Sequence, residues 1–472
     1  MAQKKPNIIV FITHDQGQFA GLYDSKKTPN SLRTPNLDRI GKKGIQFTNN
    51  FCTAPQCSPS RGGIQTSKYP HQNGLMGLVN RGWTLPSTNK TIPMYLREQG
   101  YSTHLIGFQH EARDVETLGY DTYSKRGPEP QYSCQMLIDD YIRFLQKHKD
   151  DDKPFYLCIG TPEVHRPFPV FGDAVDPKRV KIPAYLPDHA LVRQDLAEFY
   201  GSIHSVDKVI GKLTNALEKL RLDEQTLFIY TTDHGEAFPR AKCTLYDPGI
   251  KTLLMMKWPK SPLFSGGKVH DALISNIDLL PTLLDLIDAE VPEDIEGRSF
   301  LPVLKGQSLE AREEIYTEKS FHEIYHPIRS VRTKRYKYIR NFEKLRTLFH
   351  MPKDIYKDGS GKVMRHYYTK STCPFEEFYD LETDPAEKKN LINHPDYQEQ
   401  IQELKDKLDD WMKETDDPLL KGKIKPQTNV LEKRKDIEIL ESIYSPLESF
   451  ISFLMRNKYL HKILFTVLKH IP

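Results

Sequence analysis

Five short apolar runs, none with a charged residue in its middle, alternate with segments of helical character between residues 7 and 258. Such runs are typical of strands that are buried on both faces of a parallel sheet, with helices as the crossover connections. The predicted central strands span residues 7–12, 103–107, 154–160, 226–231 and 253–258. The pattern therefore predicts an α/β fold with a central, mostly parallel sheet flanked by helices.

Helix signals lie between these strands. Thr34-Pro35 opens a predicted helix over 36–43, and Thr91 opens another over 92–99. Threonine is a frequent N-cap, and proline is favoured in the first turn of a helix. Two further helices are predicted, a long one over 192–221 and a short one at 278–282.

The sequence changes character after about residue 315. Segments 336–340 and 377–381 are rich in tyrosine and charge, which is typical of an antiparallel sheet, and a helix is predicted near 394–415. Because 472 residues exceed what one hydrophobic core supports, we expect several units. They are a large α/β domain over 1–315, a smaller C-terminal α+β subdomain over 316–420, and a linker with an amphipathic helical tail over 421–472.

The predicted tail carries Phe, Leu, Ile and Val at helical spacing among Lys, Arg and His over 447–471. A basic amphipathic helix can lie on a membrane surface, or it can cover an apolar patch on its own chain or on a second subunit. We favour packing, including a possible homo-oligomer. Charges interrupt every apolar window, so no transmembrane segment is predicted.

Charge and cysteine content exclude some classes of protein. Lys plus Arg (67) nearly balance Asp plus Glu (63), so no polybasic surface for nucleic acid is expected. The six cysteines are scattered without a paired motif, which is typical of a reducing compartment. The first apolar run is too short for a signal sequence. We therefore expect a cytoplasmic location, with a periplasmic or secreted one as the alternative if a leader has been removed.

One cysteine lies in a chemically suggestive segment, Cys57-Ser58-Pro59-Ser60-Arg61. Pro59 can open a helix whose first amide groups point at an anion, and Arg61 lies within a turn of the cysteine. Taken alone, the segment is equally compatible with a buried free cysteine beside a helix start.

This segment resembles the maturation signal of the formylglycine-dependent sulfatases, members of the alkaline phosphatase superfamily. Their Cys-x-Pro-Ser-Arg core precedes a Thr-Gly-like pair, represented here by Thr66-Ser67. Further landmarks of the family follow in order at 34–38, 231–235, 275–282 and 296–299. Segments 71–78, 238–239, 245–249, 321–323 and 327–331 are most similar to the heparan N-sulfatase (sulfamidase) branch. The resemblance implies an alkaline-phosphatase-like sandwich, with 1–315 as the catalytic domain.

The resemblance also implies the catalytic residues. A separate maturation enzyme would oxidise Cys57 to formylglycine, whose hydrate supplies one hydroxyl to attack sulfur and a second to expel sulfate. Arg61 would orient the hydrate, and His110 would deprotonate the remaining hydroxyl. His165 would protonate the leaving group, a task suited to a group that titrates near neutrality. Lys242 would hold the sulfate.

A divalent metal is implied with five ligands, His14, Asp15, Cys57, Asp233 and His234. Hard oxygen donors make Ca²⁺ the first expectation, with Mg²⁺ or Mn²⁺ possible. The sequence departs from the family here, since His14 stands where a second aspartate is common and His234 where asparagine is frequent. Imidazole favours borderline metals, so the identity of the ion stays open.

A second departure is Phe108, which stands where the family has a sulfate-binding lysine. Gln109 is a candidate neutral donor in its place. The resemblance further suggests six residues near the mouth of the pocket as substrate contacts, although each is polar and could simply be solvated: Gln109, Glu163, Arg166, His322, Glu323 and Arg329.

The resemblance thus implies hydrolysis of a sulfamate or sulfate ester, on glucosamine or a saccharide derived from a glycosaminoglycan. Two alternatives stay open. The Asp-His pair and the missing lysine also suit a phosphonate or phosphate ester hydrolase on the same scaffold. Phe108 and His14 suit a relative that binds sulfated glycans without turnover.

Overall fold

The computed structural model describes residues 5–25, 30–124, 133–343, 350–368 and 373–427. A nine-stranded sheet forms its centre, in the order β4-β3-β5-β1-β6-β7-β2-β8, with β9 paired to β2. The strands are β1 (Asn7–Thr13), β2 (Ile45–Phe51), β3 (Ser102–Gly107), β4 (Thr122–Tyr123), β5 (Phe155–Gly160), β6 (Thr226–Thr232), β7 (Lys251–Lys257), β8 (Lys268–His270) and β9 (Ile274–Ser275).

The central sheet is mixed but mostly parallel. β4, β3, β5, β1 and β6 are parallel neighbours, and only β7 runs antiparallel to the strands beside it. All five predicted central strands are confirmed. β2 was not predicted because its middle, Thr48-Asn49-Asn50, is polar and lacks the apolar signal of a buried strand.

Helices cover both faces of this sheet, as predicted. They are α1 (Pro35–Lys43), α2 (Cys57–Thr66), α3 (Pro70–Asn73), α4 (Ile92–Glu98), α5 (Ile138–His148), α6 (Ala190–Lys219), α7 (Asp247–Ile250), α8 (Leu279–Leu286) and α9 (Leu301–Leu304). Ile9 and Phe11 of β1 pack with α6, whereas Ile8, Val10 and Ile12 pack with α4 and α8. Alternate residues of one strand thus enter two separate cores.

A second, four-stranded antiparallel sheet follows, in the order β10-β11-β12-β13. Its strands are β10 (Glu314–Phe321), β11 (Tyr325–Thr333), β12 (Tyr336–Asn341) and β13 (Glu376–Asp380). The later helices are α10 (Lys353–Tyr356), α11 (Gly359–Tyr368) and α12 (Gln398–Glu414). The predicted antiparallel sheet with a helix is therefore confirmed.

Two predictions about the C-terminal region are not tested by the structure. The amphipathic helix predicted over 447–471 lies outside the described residues, so its packing role stays a prediction, as do the unit boundaries at 315 and 420. Within the part of the chain that the structure describes, no helix is long and apolar enough to cross a bilayer.

Candidate active site

The carboxyl ends of the parallel strands hold the chemically active side chains. Asp15 follows β1, and Asp233 and His234 follow β6, its neighbour in the sheet. Cys57 is the first residue of α2. In open α/β sheets such strand ends meet in a crevice where ligands bind.

These elements bring five side chains together. Ligand atoms of His14, Asp15, Cys57, Asp233 and His234 all lie within 4.8 Å of one another, and all five residues are buried. His234 Nε2 lies 2.9 Å from Asp15 Oδ1 and 3.5 Å from Cys57 Sγ. His14 Nδ1 lies 2.8 Å from Asp15 Oδ1. The predicted ligand set therefore forms one compact group.

The donor chemistry of this group suits a cation. His234 Nδ1 lies 2.9 Å from the Gly235 carbonyl, so that nitrogen carries a hydrogen and Nε2 is left to face the carboxylate of Asp15. Burial disfavours ionised Asp15, but Lys242, His14 and His234 outweigh it and hold the pKa of Asp15 well below its usual range. Two buried carboxylates with two imidazoles are a donor set that can hold a divalent metal.

Cys57 as a thiol is a poor nucleophile in this setting. Burial, together with the carboxylates of Asp15 and Asp233, raises its pKa well above the usual value. The thiolate is the reactive form of cysteine, and it is disfavoured here despite the helix start. The position is therefore better suited to a modified side chain than to thiol chemistry.

Arg61 is held inside the cluster. Its Nε donates to Asp233 Oδ2 at 3.0 Å, and its guanidinium lies 5.2 Å from the ring centroid of Phe108. Helix α2 ends at Thr66, and Ser67 adopts a φ of 57°, a conformation that favours glycine. This explains the glycine at the same place in the family motif.

Lys242 and His165 form a second group at the edge of the cluster. Lys242 Nζ donates to Asp15 Oδ2 at 2.7 Å and to His165 Nε2 at 3.2 Å. His165 Nδ1 donates to the carbonyl of Arg166, so Nε2 is the nitrogen that titrates. Burial and Lys242 lower the pKa of His165 to about 4.

Asp354 belongs to this second group but was missed by the sequence analysis. Its Oδ2 accepts from Lys242 Nζ at 3.0 Å and lies 3.6 Å from His165 Nε2. Asp354 belongs to none of the family motifs. It reaches the site because α10 lies beside Lys242 and His165. Asp354 retains 23% side-chain exposure, so its carboxylate is within reach of a bound molecule.

His110, Phe108 and Gln109 line the same side of the site. The ring centroid of Phe108 is 5.4 Å from those of His14 and His110, so an aromatic face fills the place of the missing lysine. Burial, His14 and Arg61 lower the pKa of His110 well below its usual value, which keeps it a neutral base. Gln109 uses both ends of its amide on Glu111 and Ala112 within its own turn.

Three predicted substrate contacts are engaged inside the protein instead. Arg166 pairs with Asp195 at 2.7 and 2.8 Å, and Arg329 pairs with Asp417 at 2.6 and 3.1 Å. Glu163 is fully buried and accepts from the Cys134 amide at 2.6 Å. Each of these polar groups therefore has partners inside the protein, and its contact with substrate stays a prediction.

The other two predicted contacts lie close to each other. Glu323 accepts from Arg81 at 3.3 Å and from the Lys353 amide at 3.1 Å, so it fixes the start of α10. His322 is buried, and its Nδ1 has no hydrogen-bond partner within the described residues.

Replacing Arg329 with methionine is expected to destabilise the protein by about 3–5 kcal/mol, because it leaves the buried Asp417 carboxylate without its cation. Urea unfolding followed by circular dichroism measures this. Arg179→Met, at an exposed pair with Asp176, is the matched control and should leave the midpoint nearly unchanged. A raised KM with unchanged stability would instead restore Arg329 as a substrate contact.

Comparisons with known proteins agree with this geometry. Residues 6–289 match the family model described as sulfatase, and residues 235–362 match the model described as N-sulphoglucosamine sulphohydrolase, C-terminal. An ulvan-active sulfatase of Formosa agariphila is 31% identical over 441 residues, which cover 89% of this chain and 82% of the relative. Human N-sulphoglucosamine sulphohydrolase is 28% identical over 488 residues, which cover 90% of this chain and 95% of the relative.

Solved structures share the fold. A protein in complex with its substrate D-glucosamine-2-N,6-O-disulfate superposes with a TM-score of 0.69 at 22% identity. The match covers 88% of this chain and 99% of that chain, so both sheets have counterparts in one known architecture.

Proposed function

The chain belongs to the sulfatase family and is a sulfuric ester hydrolase, and from this premise we propose that it cleaves the sulfamate of an N-sulfated glucosamine. The observation that carries the proposal is the buried group of Asp15, Cys57, Asp233 and His234 at the strand ends, joined to a C-terminal region of the N-sulphoglucosamine sulphohydrolase type. Sulfate ester cleavage on a glycosaminoglycan-derived saccharide is the alternative within the same class.

The names of the relatives support an amino-sugar substrate but do not distinguish an N-sulfate from an O-sulfate. The human relative is an N-sulphoglucosamine sulphohydrolase, and the solved neighbour holds a glucosamine with both N- and O-sulfate. The ulvan-active relative has the higher identity, so identity alone does not select the saccharide. The match over 235–362 favours the N-sulfated substrate.

A divalent metal fits the site. Asp15, Asp233 and His234 would hold it, with His14 beside them and residue 57 completing the set. When bound, the ion supplies Lewis-acid polarisation of the sulfate and lowers the pKa of the attacking hydroxyl. Two imidazoles among the donors favour Mn²⁺ over Ca²⁺ more than an all-oxygen set would.

Formylglycine at position 57 would provide the nucleophile. One hydroxyl of its hydrate would lose its proton to solvent and form a bond to sulfur, and the sulfur–nitrogen bond would break as the amine departs. His110, kept neutral by its surroundings, would take the proton of the second hydroxyl. The carbon–oxygen bond to sulfate would then break, which would release sulfate and restore the aldehyde. Arg61 and Lys242 are the cations available for the sulfate oxygens.

His165 would protonate the departing nitrogen. Its pKa of about 4 leaves it neutral before substrate binds, but an anionic sulfate beside Lys242 would offset the charge that lowers this pKa. Asp354, 3.6 Å from His165 Nε2, would further favour the protonated ring and an ammonium product. The second group is therefore suited to amine departure.

Replacing His165 with glutamine is expected to lower kcat on N-sulfoglucosamine by about 10²–10⁴-fold, because the amine leaves without an acid. The loss should be much smaller on 4-nitrophenyl sulfate, whose phenolate leaves without protonation. His189→Gln, at the exposed start of α6, is the control and should retain full activity on both substrates. Equal losses on both substrates would contradict the acid role.

A substrate panel tests the proposed function directly. Matured protein would be assayed on N-sulfoglucosamine, glucosamine-6-sulfate, 4-nitrophenyl sulfate and 4-nitrophenyl phosphate. We expect the highest kcat/KM on N-sulfoglucosamine and the lowest on the phosphate ester. A preference for the 6-sulfate would move the assignment to an O-sulfatase, and phosphate preference would contradict the proposal.

A further inference from the structure

A second group of metal-ligating side chains lies apart from the five-residue cluster. Ligand atoms of Cys243, His322 and His350 lie within 4.8 Å of one another, and Cys243 and His322 are buried. None of the three belongs to the catalytic steps above. A thiol with two imidazoles is a donor set that selects soft or borderline ions such as Zn²⁺.

His322 is the strongest sign that something binds here. It is only 7% exposed, and its Nδ1 has no hydrogen-bond partner in the part of the chain that the structure describes. A buried polar atom without a partner is destabilising, so an unfilled bonding position on this ring calls for an explanation. An ion on the imidazole would remove the cost.

His350 has the support typical of a metal-binding histidine. Its Nε2 lies 3.5 Å from Glu323 Oε2, and Glu323 is itself fixed by Arg81. A carboxylate behind one ring nitrogen orients the ring and strengthens the other nitrogen as a ligand. The residue predicted as a substrate contact, Glu323, thus supports the ring instead.

There is room for an ion beside the thiol. A cavity of about 20 Å³ is lined by Cys243 and His350, whereas His322 lies outside its lining. This volume is sufficient for one water-sized occupant between the thiol and one of the two imidazoles.

We propose that Cys243, His322 and His350 form a second metal site that binds Zn²⁺ with three protein ligands and one water. Binding breaks the S–H bond of Cys243, forms a sulfur–zinc bond and releases the proton to solvent. Because a three-ligand set leaves one position open, the water completes a tetrahedral site.

The location gives this site a positioning role. Cys243 directly follows Lys242, and His350 lies four residues before Asp354, so the ion would join the two segments that carry the second group of the active site. His322, at the end of β10, would anchor both segments to the second sheet. The zinc ion would therefore fix the distance between Lys242 and Asp354.

Cobalt substitution tests the proposal in a Cys57→Ala background, which removes the thiol of the catalytic cluster. Co²⁺ in excess of both sites, added to this full-length variant, should produce a thiolate-to-cobalt charge-transfer band in the near ultraviolet. Zn²⁺ should displace the Co²⁺ and abolish the band. Because the background is inactive, the readout does not depend on the proposed sulfatase chemistry.

Matched variants assign the band. Adding Cys243→Ser should abolish it, whereas Cys158→Ala, at a buried cysteine of β5, should retain it. His350→Ala keeps the thiol and should weaken Co²⁺ affinity by at least about 10-fold. This variant tests the site if Cys243→Ser fails to fold. A missing band in the Cys57→Ala protein, or a band unchanged by Cys243→Ser or His350→Ala, would overturn the site.

Discussion

Replacing Cys57 with alanine is expected to lower kcat on N-sulfoglucosamine by about 10⁵-fold or more, because the covalent step loses its nucleophile. Alanine fits the space, since Cys57 is buried at the first position of α2 and its Sγ makes no hydrogen bond shorter than 3.5 Å to any described residue. The fold should therefore survive, and circular dichroism with steady-state assays separates lost chemistry from lost structure.

Cys52→Ala is the matched control, because Cys52 is equally buried five residues earlier. It should retain activity. Mass spectrometry of the tryptic peptide from Gly44 to Arg61 should show a loss of roughly 18 mass units after maturation, the change from thiol to aldehyde. The peptide contains both cysteines, so fragment ions must place the loss on residue 57. A loss on Cys52, or activity in Cys57→Ala, would contradict the mechanism.

The five-residue cluster could be predicted because the family resemblance names its members and four of them follow buried strands. Asp15 and Asp233 follow β1 and β6, and parallel neighbours end at the same edge of the sheet. The strand pattern therefore placed the two acids together, and the resemblance gave them the ligand role. Cys57 needed the family resemblance as well, since a lone cysteine at a helix start has no unique meaning.

The substrate contacts could not be predicted in the same way. Arg329 and Arg166 resembled family positions, but their roles depend on partners 88 and 29 residues away, Asp417 and Asp195. The periodicity of a sequence does not show which distant residues form an ion pair. In sequence, a buried charged residue cannot be distinguished from a solvent-exposed one unless its partner is known. Asp354 was missed for the same reason, because its contact with Lys242 joins segments 112 residues apart.

The contacts of Phe108 explain why the position of the missing lysine is filled. The Phe108 ring packs against His14 and beneath the Arg61 guanidinium. Relative to the family, the site lacks one aspartate, replaced by His14, and one lysine, replaced by Phe108. The donors of the pocket therefore shift from oxygen to nitrogen.

Replacing Asp15 with asparagine is expected to weaken binding of the catalytic metal by at least about 100-fold, because even changes outside the ligand set cost 10–100-fold. Asparagine keeps the size of the side chain but removes the charge that lies 2.9 Å from His234 Nε2. Metal content after dialysis, measured by atomic emission, and the gain in melting temperature on adding Mn²⁺ or Ca²⁺ both report the loss.

Asp354→Asn is the control that separates the two roles of Asp15, which are binding the metal and accepting a hydrogen bond from Lys242. Both carboxylates accept from Lys242 Nζ, at 2.7 and 3.0 Å, but Asp354 lies outside the five-residue group. We expect Asp354→Asn to keep the metal and to lose activity preferentially on the sulfamate, through His165. Equal metal loss in both variants would mean that Asp15 acts on the ion only through Lys242, which would remove it from the ligand set.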